Sequence, residues 1–257
     1  MLEKLFAQAL QDANQREKLV SKADLLEAIS KLPPPPDVYQ ALKPTSSVKL
    51  IAEIKRASPS RGFLAEIPDA AELAIGYQNS GAHAISVLTE TSGFMGSMGD
   101  LRAAAGAVEV PVLRKDFIST EYQILEARAA GASFILLILS HLDVSRAEEL
   151  MSFASSLDLG VLVETHSEAE VLEALSLDAK LIGINTRDLK TFATDPKLFA
   201  DLAGSLPSNV IKVAESSVKN IDDVKRYRDS GADVVLVGEA LVTGDWQKLI
   251  PQIVAVS

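Results

Sequence analysis

Charged side chains recur where the short apolar runs of this chain stop. Glu53 and Lys55 stand at the end of Leu50–Ile54 and, being two apart, lie on one face of an extended chain. Arg114, Lys115 and Asp116 follow Pro111–Leu113, and Glu164 follows Val161–Val163. Asn185 follows Leu181–Ile184 with Arg187 two residues on, and Glu215-Ser216 follows Val210–Ala214. Lys and Glu are almost never fully buried without a partner. A single charged run end is ordinarily a solvated rim; five ends carrying both signs point to a shared polar cleft. Lysines and carboxylates in such a cleft can pass protons, each contributing about 10²- to 10⁴-fold when its pKa lies near the working pH. A lysine starts near pKa ~10.4, so it is expected to be lowered by burial or by a neighbouring cation.

The elements that must position these groups are legible in outline. Besides the runs just named, Ala84–Leu88, Phe134–Leu139 and Val234–Val237 are rich in Val, Ile and Leu and bounded by turn residues, as strands buried on both faces are. The stretches between runs carry helical spacing, as in Leu125, Ala129, Ala130 and Val171, Leu172, Leu175. Ser145-Arg-Ala-Glu148 and Ser167-Glu-Ala-Glu170 fit a capping box, and Asp195-Pro196 opens a helix in another way. Three near-copies, NSGAHAISVL, AAGASFILLI and DSGADVVLVG, each place a Gly where a helix ends before a strand. Eight strands alternating with helices predict an α/β fold, a single (β/α)8 barrel, with no boundary after residue 48 and with 1–47 as a helical N-terminal extension. The extension reads as helices over 2–19 and 23–32, then Pro33–Pro36; its periodicity fits a plug at the barrel bottom as well as a lid over the mouth.

Barrel enzymes place their chemistry at the C-terminal ends of the strands, and often a phosphate site in the loops after strands 7 and 8. Here those loops are Glu215-Ser216-Ser217 and Gly238-Glu239-Ala240. Other residues read more plainly. His83, His141 and His166 share no metal-ligand spacing; His166 adjoins Glu164 but reads as a loop or capping residue. Gly93-Phe-Met-Gly96-Ser-Met-Gly99 lacks the Lys-Ser/Thr of a P-loop and reads as a mobile active-site loop. Trp246 reads as packing, and Lys212 inside an apolar strand has no evident role.

Composition narrows the classes. The 257 residues are 47% hydrophobic with a net charge of −10, which argues against nucleic acid or anionic lipid as a partner. The absence of cysteine removes disulfides, thiolate metal sites and a Cys nucleophile. MLEKLFAQAL lacks the apolar core of a secretory signal, and the longest apolar run, Phe134 to Leu139, falls far short of the roughly 20 residues that span a bilayer. A soluble, cytoplasmic chain is expected.

The stretch KLIAEIKRASPSRG closely resembles the signature of indole-3-glycerol phosphate synthases. SVLTE with Phe94–Ser97, LRKDF at Leu113–Phe117, LVETH at Leu162–His166, GINTRDL at Gly183–Leu189 and VAES at Val213–Ser216 resemble that family's strand-end motifs, in its order. The resemblance covers essentially the whole barrel, and the N-terminal extension, also a family feature, shifts its reading towards the lid. It implies closure, decarboxylation and dehydration of 1-(2-carboxyphenylamino)-1-deoxyribulose 5-phosphate to indole-3-glycerol phosphate, carbon dioxide and water. Lys115 matches the general acid on the ribulose carbonyl, and Lys55 a second catalytic lysine that is also near the phosphate. Glu164 matches the carboxylate paired with these lysines, Glu53 the first-strand glutamate, and Asn185 and Glu215 the polar residues holding the constellation. Ser58, Phe94 and Arg187 resemble substrate contacts, and Ser216, Ser217, Gly238 and Glu239 the phosphate loops. No metal or organic cofactor is implied; other tryptophan-pathway enzymes are the possible protein partners.

The chemistry calls for the same groups. Closure needs an acid on a carbonyl oxygen, and dehydration needs an acid for the hydroxyl and a base for a ring proton. An acidic protein also needs a local basic pocket for a substrate bearing phosphate and carboxylate, which Lys55, Lys115 and Arg187 supply. Two positions depart from the family pattern. Ser217 replaces a glycine, with the loop expected to have relaxed to an ordinary backbone conformation. Gly99 replaces an acidic residue, with an effect expected on loop mobility alone. Two other readings stay open at this level: another phosphate-binding barrel enzyme, such as phosphoribosylanthranilate isomerase, which would need neither both lysines nor EIKRASPS, and a non-catalytic barrel used for partner binding.

Overall fold

The computed structural model describes residues 2–188 and 193–257. Eight parallel strands close into a barrel: β1 (Lys49–Ile54), β2 (Ala84–Leu88), β3 (Val112–Lys115), β4 (Phe134–Ile138), β5 (Gly160–Thr165), β6 (Leu181–Asn185), β7 (Ile211–Glu215) and β8 (Val234–Val237). Each pairs with the next in chain order, and β8 closes onto β1 with Leu50 opposite Val235. Helices α1 (Leu2–Glu17), α2 (Lys22–Ile29) and α3 (Val38–Ala41) precede the barrel. After β1 to β7 come, in turn, α4 (Ala70–Asn79), α5 (Met98–Ala105), α6 (Glu121–Ala129), α7 (Val144–Ser155), α8 (Glu168–Ser176), α9 (Lys197–Ala203) and α10 (Ile221–Asp229). Two helices, α11 (Glu239–Val242) and α12 (Trp246–Val254), follow β8. Among the described residues no helix is long and apolar enough to cross a membrane.

Strand alternation divides the core. Ile51, Ala84, Leu113, Phe134, Leu136, Leu162, Leu181, Val213 and Val234 point inward and fill the barrel. Leu50, Ile85, Ile135, Val163, Ile182 and Val235 point outward against Ala74, Leu101, Leu150, Val171, Phe199 and Val224 of the helices. Both faces are therefore dry, and each fully buried Val, Leu, Ile or Phe is worth about 1.5–3 kcal/mol. Gly81, Gly131 and Gly231 of the three near-copies have φ of +108°, +89° and +95°, the left-handed ending that their position predicts.

The same alternation accounts for two charged strand residues. Arg114 and Lys212 occupy outward positions. Arg114 does not reach the mouth; fully buried, it donates to Asp116 at 2.9 Å, to the Gln123 carbonyl at 2.6 Å and to Glu126 at 3.3 Å. Lys212 sends its amine to the Ala203 carbonyl at 3.2 Å. His83 accepts from the Leu50 N–H at 3.2 Å, and burial lowers it to about 4, which keeps it the neutral acceptor. Trp246 packs edge-on against Tyr77.

Cap assignments need adjustment. The residue capping α7 is Asp143, which accepts from Arg146 N–H at 2.8 Å, so the Ser145 capping box is not formed. Ser167 does cap α8, but the Glu170 carboxylate reaches the His166 N–H at 2.8 Å, one residue before the box position. Asp195 accepts from Lys197 N–H at 3.0 Å ahead of α9. Gly99 lies in the first turn of α5, not in a loop, so its departure concerns a helix start.

The N-terminal extension reaches both ends of the barrel, the two places between which its periodicity could not choose. At the C-terminal ends of the strands, α1 buries Leu5, Phe6 and Ala9; Phe6 stacks on His141 and meets Phe117 edge-on. Arg16 pairs with Glu126 of α6. At the opposite end, Val38 and Leu42 join the interior cluster, and the Tyr39 hydroxyl accepts from Val161 N–H at 3.1 Å. A Cβ on Gly160 would collide with Val38, so the plug fits because β5 begins with glycine.

Candidate active site

One residue pair beyond the inward apolar layer, the same parity delivers charge. Ile51 is followed inward by Glu53, Leu113 by Lys115, Leu162 by Glu164, Gly183 by Asn185 and Val213 by Glu215. These side chains line a cavity of about 600 Å³ at the C-terminal end of the barrel, together with Lys55, Ser58, Phe94, Arg187, Ser216, Ser217, Gly238 and Glu239. Every site residue expected from the sequence is thus in one cavity. Leu189, the end of the GINTRDL motif, lies outside the described residues. Leu2, Leu5, Phe94, Phe117, Leu136 and Ile138 give the cavity an apolar wall.

Lys115 is the centre of the charge cluster. Its amine lies 3.3 Å from Glu215, 3.7 Å from Glu53 and 3.9 Å from Glu164, all three carboxylates being buried. Lys55 contacts the other oxygen of Glu53 at 2.6 Å. Burial works against the Lys115 charge, but the three carboxylates outweigh it and raise its pKa. This reverses the expected lowering: the neighbours are anions, so the lysine is held as an ammonium. Burial also opposes the charge on Glu53, yet Lys55 and Lys115 hold its carboxyl below the usual range.

Glu164 and Glu215 share their surroundings unequally. Burial, then the charge of Glu164, push Glu215 up, against the pull of Lys115. Glu164 is buried as deeply, but His166, Lys115 and Asn185 together hold it low. Asn185 accepts from the Ser216 hydroxyl at 2.8 Å and from Arg187 N–H at 3.1 Å, committing its oxygen and leaving its amide N–H groups for Glu164. Two glycines make room for these acids: a Cβ on Gly183 would strike Glu215, and one on Gly238 would strike Glu53.

Ser216 and Ser217 have φ of +69° and +60°, so this loop has not relaxed to an ordinary conformation. A left-handed non-glycine residue costs roughly 1–2 kcal/mol. The Ser217 hydroxyl partly offsets that through Thr186 at 2.9 Å, which is itself 3.1 Å from Tyr227. Both serines line the cavity, as do Gly238 and Glu239 at the start of α11. Glu239 faces Arg61 at 3.5 Å.

Two further residues matter. Glu90 is buried and accepts from the N–H groups of Ser92, Gly93 and Phe94 at 2.8, 2.7 and 3.0 Å, tying down the base of the loop that carries Phe94. Its only sequence signal is a glutamate at a strand end before Ser-Gly. His166, read from sequence as a cap, lies 3.3 Å from Glu164. Arg56, within the first signature, is structural: it makes a bidentate pair with Asp100 at 2.5 and 2.9 Å and reaches the Ile67 carbonyl.

The profile of the indole-3-glycerol phosphate synthase family matches residues 2–253. The chain belongs to that family. It is 51% identical over 246 residues to the indole-3-glycerol phosphate synthase of Leifsonia xyli, covering 95% of this chain and 94% of that one. It is 50% identical over 244 residues to the enzyme of that name from Mycolicibacterium smegmatis, covering 95% and 89%. Among solved structures, thiamine phosphate pyrophosphorylase from Pyrococcus furiosus matches with a TM-score of 0.61 at 15% identity, over 81% of this chain and 94% of that one. At that identity the likeness speaks for the barrel alone.

Proposed function

We propose that the mouth residues carry out indole-3-glycerol phosphate synthesis in the roles that follow. As a member of this family the chain is a carboxy-lyase of tryptophan biosynthesis that acts on a phosphorylated small molecule. The observation carrying the assignment of roles is one ammonium, Lys115, set among three buried carboxylates beside a second lysine. In ring closure the aromatic carbon bearing the carboxylate attacks the ribulose carbonyl carbon. Lys115 donates a proton to the oxygen as negative charge develops, so its contribution falls in the transition state. Loss of carbon dioxide returns the bonding electrons to the ring. In dehydration Lys55 protonates the departing hydroxyl while Glu164, held ionised, takes the ring proton.

Binding follows from charge and shape. With Glu215 protonated, the charges of Glu53 and Glu164 are balanced by Lys55 and Lys115, and that of Glu170 by His166. The mouth is thus spared the net charge of −10 that the whole chain carries, and Lys55, Lys115 and Arg187 line it for an anionic substrate. The phosphate sits on the backbone N–H groups of Ser216, Ser217, Gly238 and Glu239, and the aryl ring on the wall made by Phe94, Phe117 and Leu5. Ser58 joins the substrate contacts. The whole chain works as one domain, with residues 1–47 as its extension, in the cytoplasm; association with other enzymes of the pathway belongs to the same proposal. Incubating the purified protein with the carboxyphenylamino substrate should give the fluorescence of an indole product. No fluorescence with an intact, folded protein would refute the reading.

A further inference from the structure

His166 follows β5 by one residue and lies between two acids. Its Nε2 is 3.3 Å from Glu164, an ion-pair contact that is not a hydrogen bond, and its Nδ1 is 3.4 Å from Glu170. Glu170 is held from both sides: its carboxylate accepts from the His166 backbone N–H at 2.8 Å, and its own N–H donates to Ser167, the cap of α8. Among the described residues, the charged groups recorded against the imidazole are Glu164 of β5 and Glu170 of α8. Beyond Glu164 stand Lys115 of β3 and Glu215 of β7.

Two adjacent buried carboxylates do not both ionise readily, and a like charge raises one of them. Which of the two keeps the proton decides which can act as a base. Lys115 does not decide it in favour of Glu164, because it lies closer to Glu215, at 3.3 Å against 3.9 Å. Asymmetry has to come from elsewhere, and His166 touches Glu164.

We propose that His166 is a positioning residue: as an imidazolium clamped between Glu164 and Glu170, it makes Glu164 the ionised member of the pair and leaves the shared proton on Glu215. This rests on the reading of Glu164 as the base. The surroundings agree. Burial opposes a charge on the imidazole, but Glu164 and Glu170 overcome it and raise His166 to about 10.

The proposal can be tested with and without substrate. Without it, imidazole ¹⁵N spectra of the whole protein at pH 8 should show one histidine still protonated, with its signals absent from His166→Gln. In Glu170→Gln that histidine should titrate at lower pH. A His166 that is neutral at pH 7 overturns the proposal whatever the protein catalyses. With substrate, His166→Gln should lower kcat at least about tenfold with KM little changed. The acid limb of kcat should move up by about one to three pH units, the shift expected when a carboxylate loses an opposite charge at this distance. Glu170→Gln should move the limb the same way, by less. A fall in kcat with an unshifted pH profile would make His166 merely structural and also overturn the proposal. If the wild-type protein makes no indole product, the reading of the function fails while the spectra still decide the state of His166.

Discussion

Glu215 should stabilise the protein most when it is protonated, and the neutral isostere tests this directly. Its folded pKa is raised, first by burial and then by the charge of Glu164. The native state therefore holds a proton that the unfolded chain releases above the usual carboxylate range. For a raised pKa the contribution is fully present below the unfolded value and is lost as pH rises towards the folded one. Within that interval a single group lowers stability by about 1.4 kcal/mol per pH unit. Between pH 5.0 and 6.5 Glu215 itself should account for roughly 2 kcal/mol of decline, the histidine titrations being common to wild type and variant. Glu215→Gln, which cannot ionise, should remove this slope, so the variant gains on the wild type by that amount over the same range. Equilibrium unfolding in urea, followed by the fluorescence of Trp246 and by circular dichroism, measures the difference at each pH. Parallel wild-type and variant curves, or a variant more than about 1 kcal/mol less stable at pH 6.5, would show that Glu215 is ionised in the native protein. The proposed division between Glu164 and Glu215 would then be wrong.

Lys115→Ala should abolish turnover while product affinity stays within about tenfold, because the ammonium acts on charge that appears in the transition state; calorimetry with the product and the fluorescence assay separate the two. Deleting residues 1–32 leaves the α3 plug and all eight strands, so circular dichroism should report a folded barrel. Loss of Leu2 and Leu5 from the cavity wall should raise KM by about tenfold or more, an apolar contact of one or two side chains being worth 1.5–3 kcal/mol each; an unfolded product would make α1 structural instead. Gly99→Ala should stabilise the protein by about 0.5–1 kcal/mol, since the added methyl meets nothing closer than the Ser97 hydroxyl at 3.4 Å and a helical glycine is entropically costly; a lower melting temperature would refute this.

The barrel was legible because both of its periods are written in the chain. Buried strands appear as unbroken Val/Ile/Leu runs, and the repeated Gly before β2, β4 and β8 marks each helix end. The site was legible for the same reason: inward parity carries Glu53, Lys115, Glu164, Asn185 and Glu215 to one layer whatever the loops do. Parity also separates Arg114 and Lys212 from that layer, although reading charge by position along the chain groups Arg114 with its neighbour Lys115. What sequence could not supply was the sign of the pKa shift on Lys115. That sign depends on three carboxylates from β1, β5 and β7, more than 50 residues away in two cases. A count of strand-end charges shows that partners exist but not which ones touch.

Ser217 illustrates a different limit. Its residue type argues for ordinary φ, yet φ is +60°, and the loop is held at the end of β6: Thr186, just past the strand, holds the Ser217 hydroxyl, while Asn185 holds that of Ser216. Two neighbouring left-handed residues, each costing roughly 1–2 kcal/mol, are retained in the loop proposed to meet the phosphate. A hydrogen bond of about 0.5–1.5 kcal/mol to each serine offsets part of that cost, and the remainder is stored at the site. Because the hydroxyls are occupied by Thr186 and Asn185, the proposed phosphate contact falls to the backbone N–H groups of this loop. The serine at a glycine position therefore changes how the loop is held: its hydroxyl ties the loop to Thr186 at 2.9 Å.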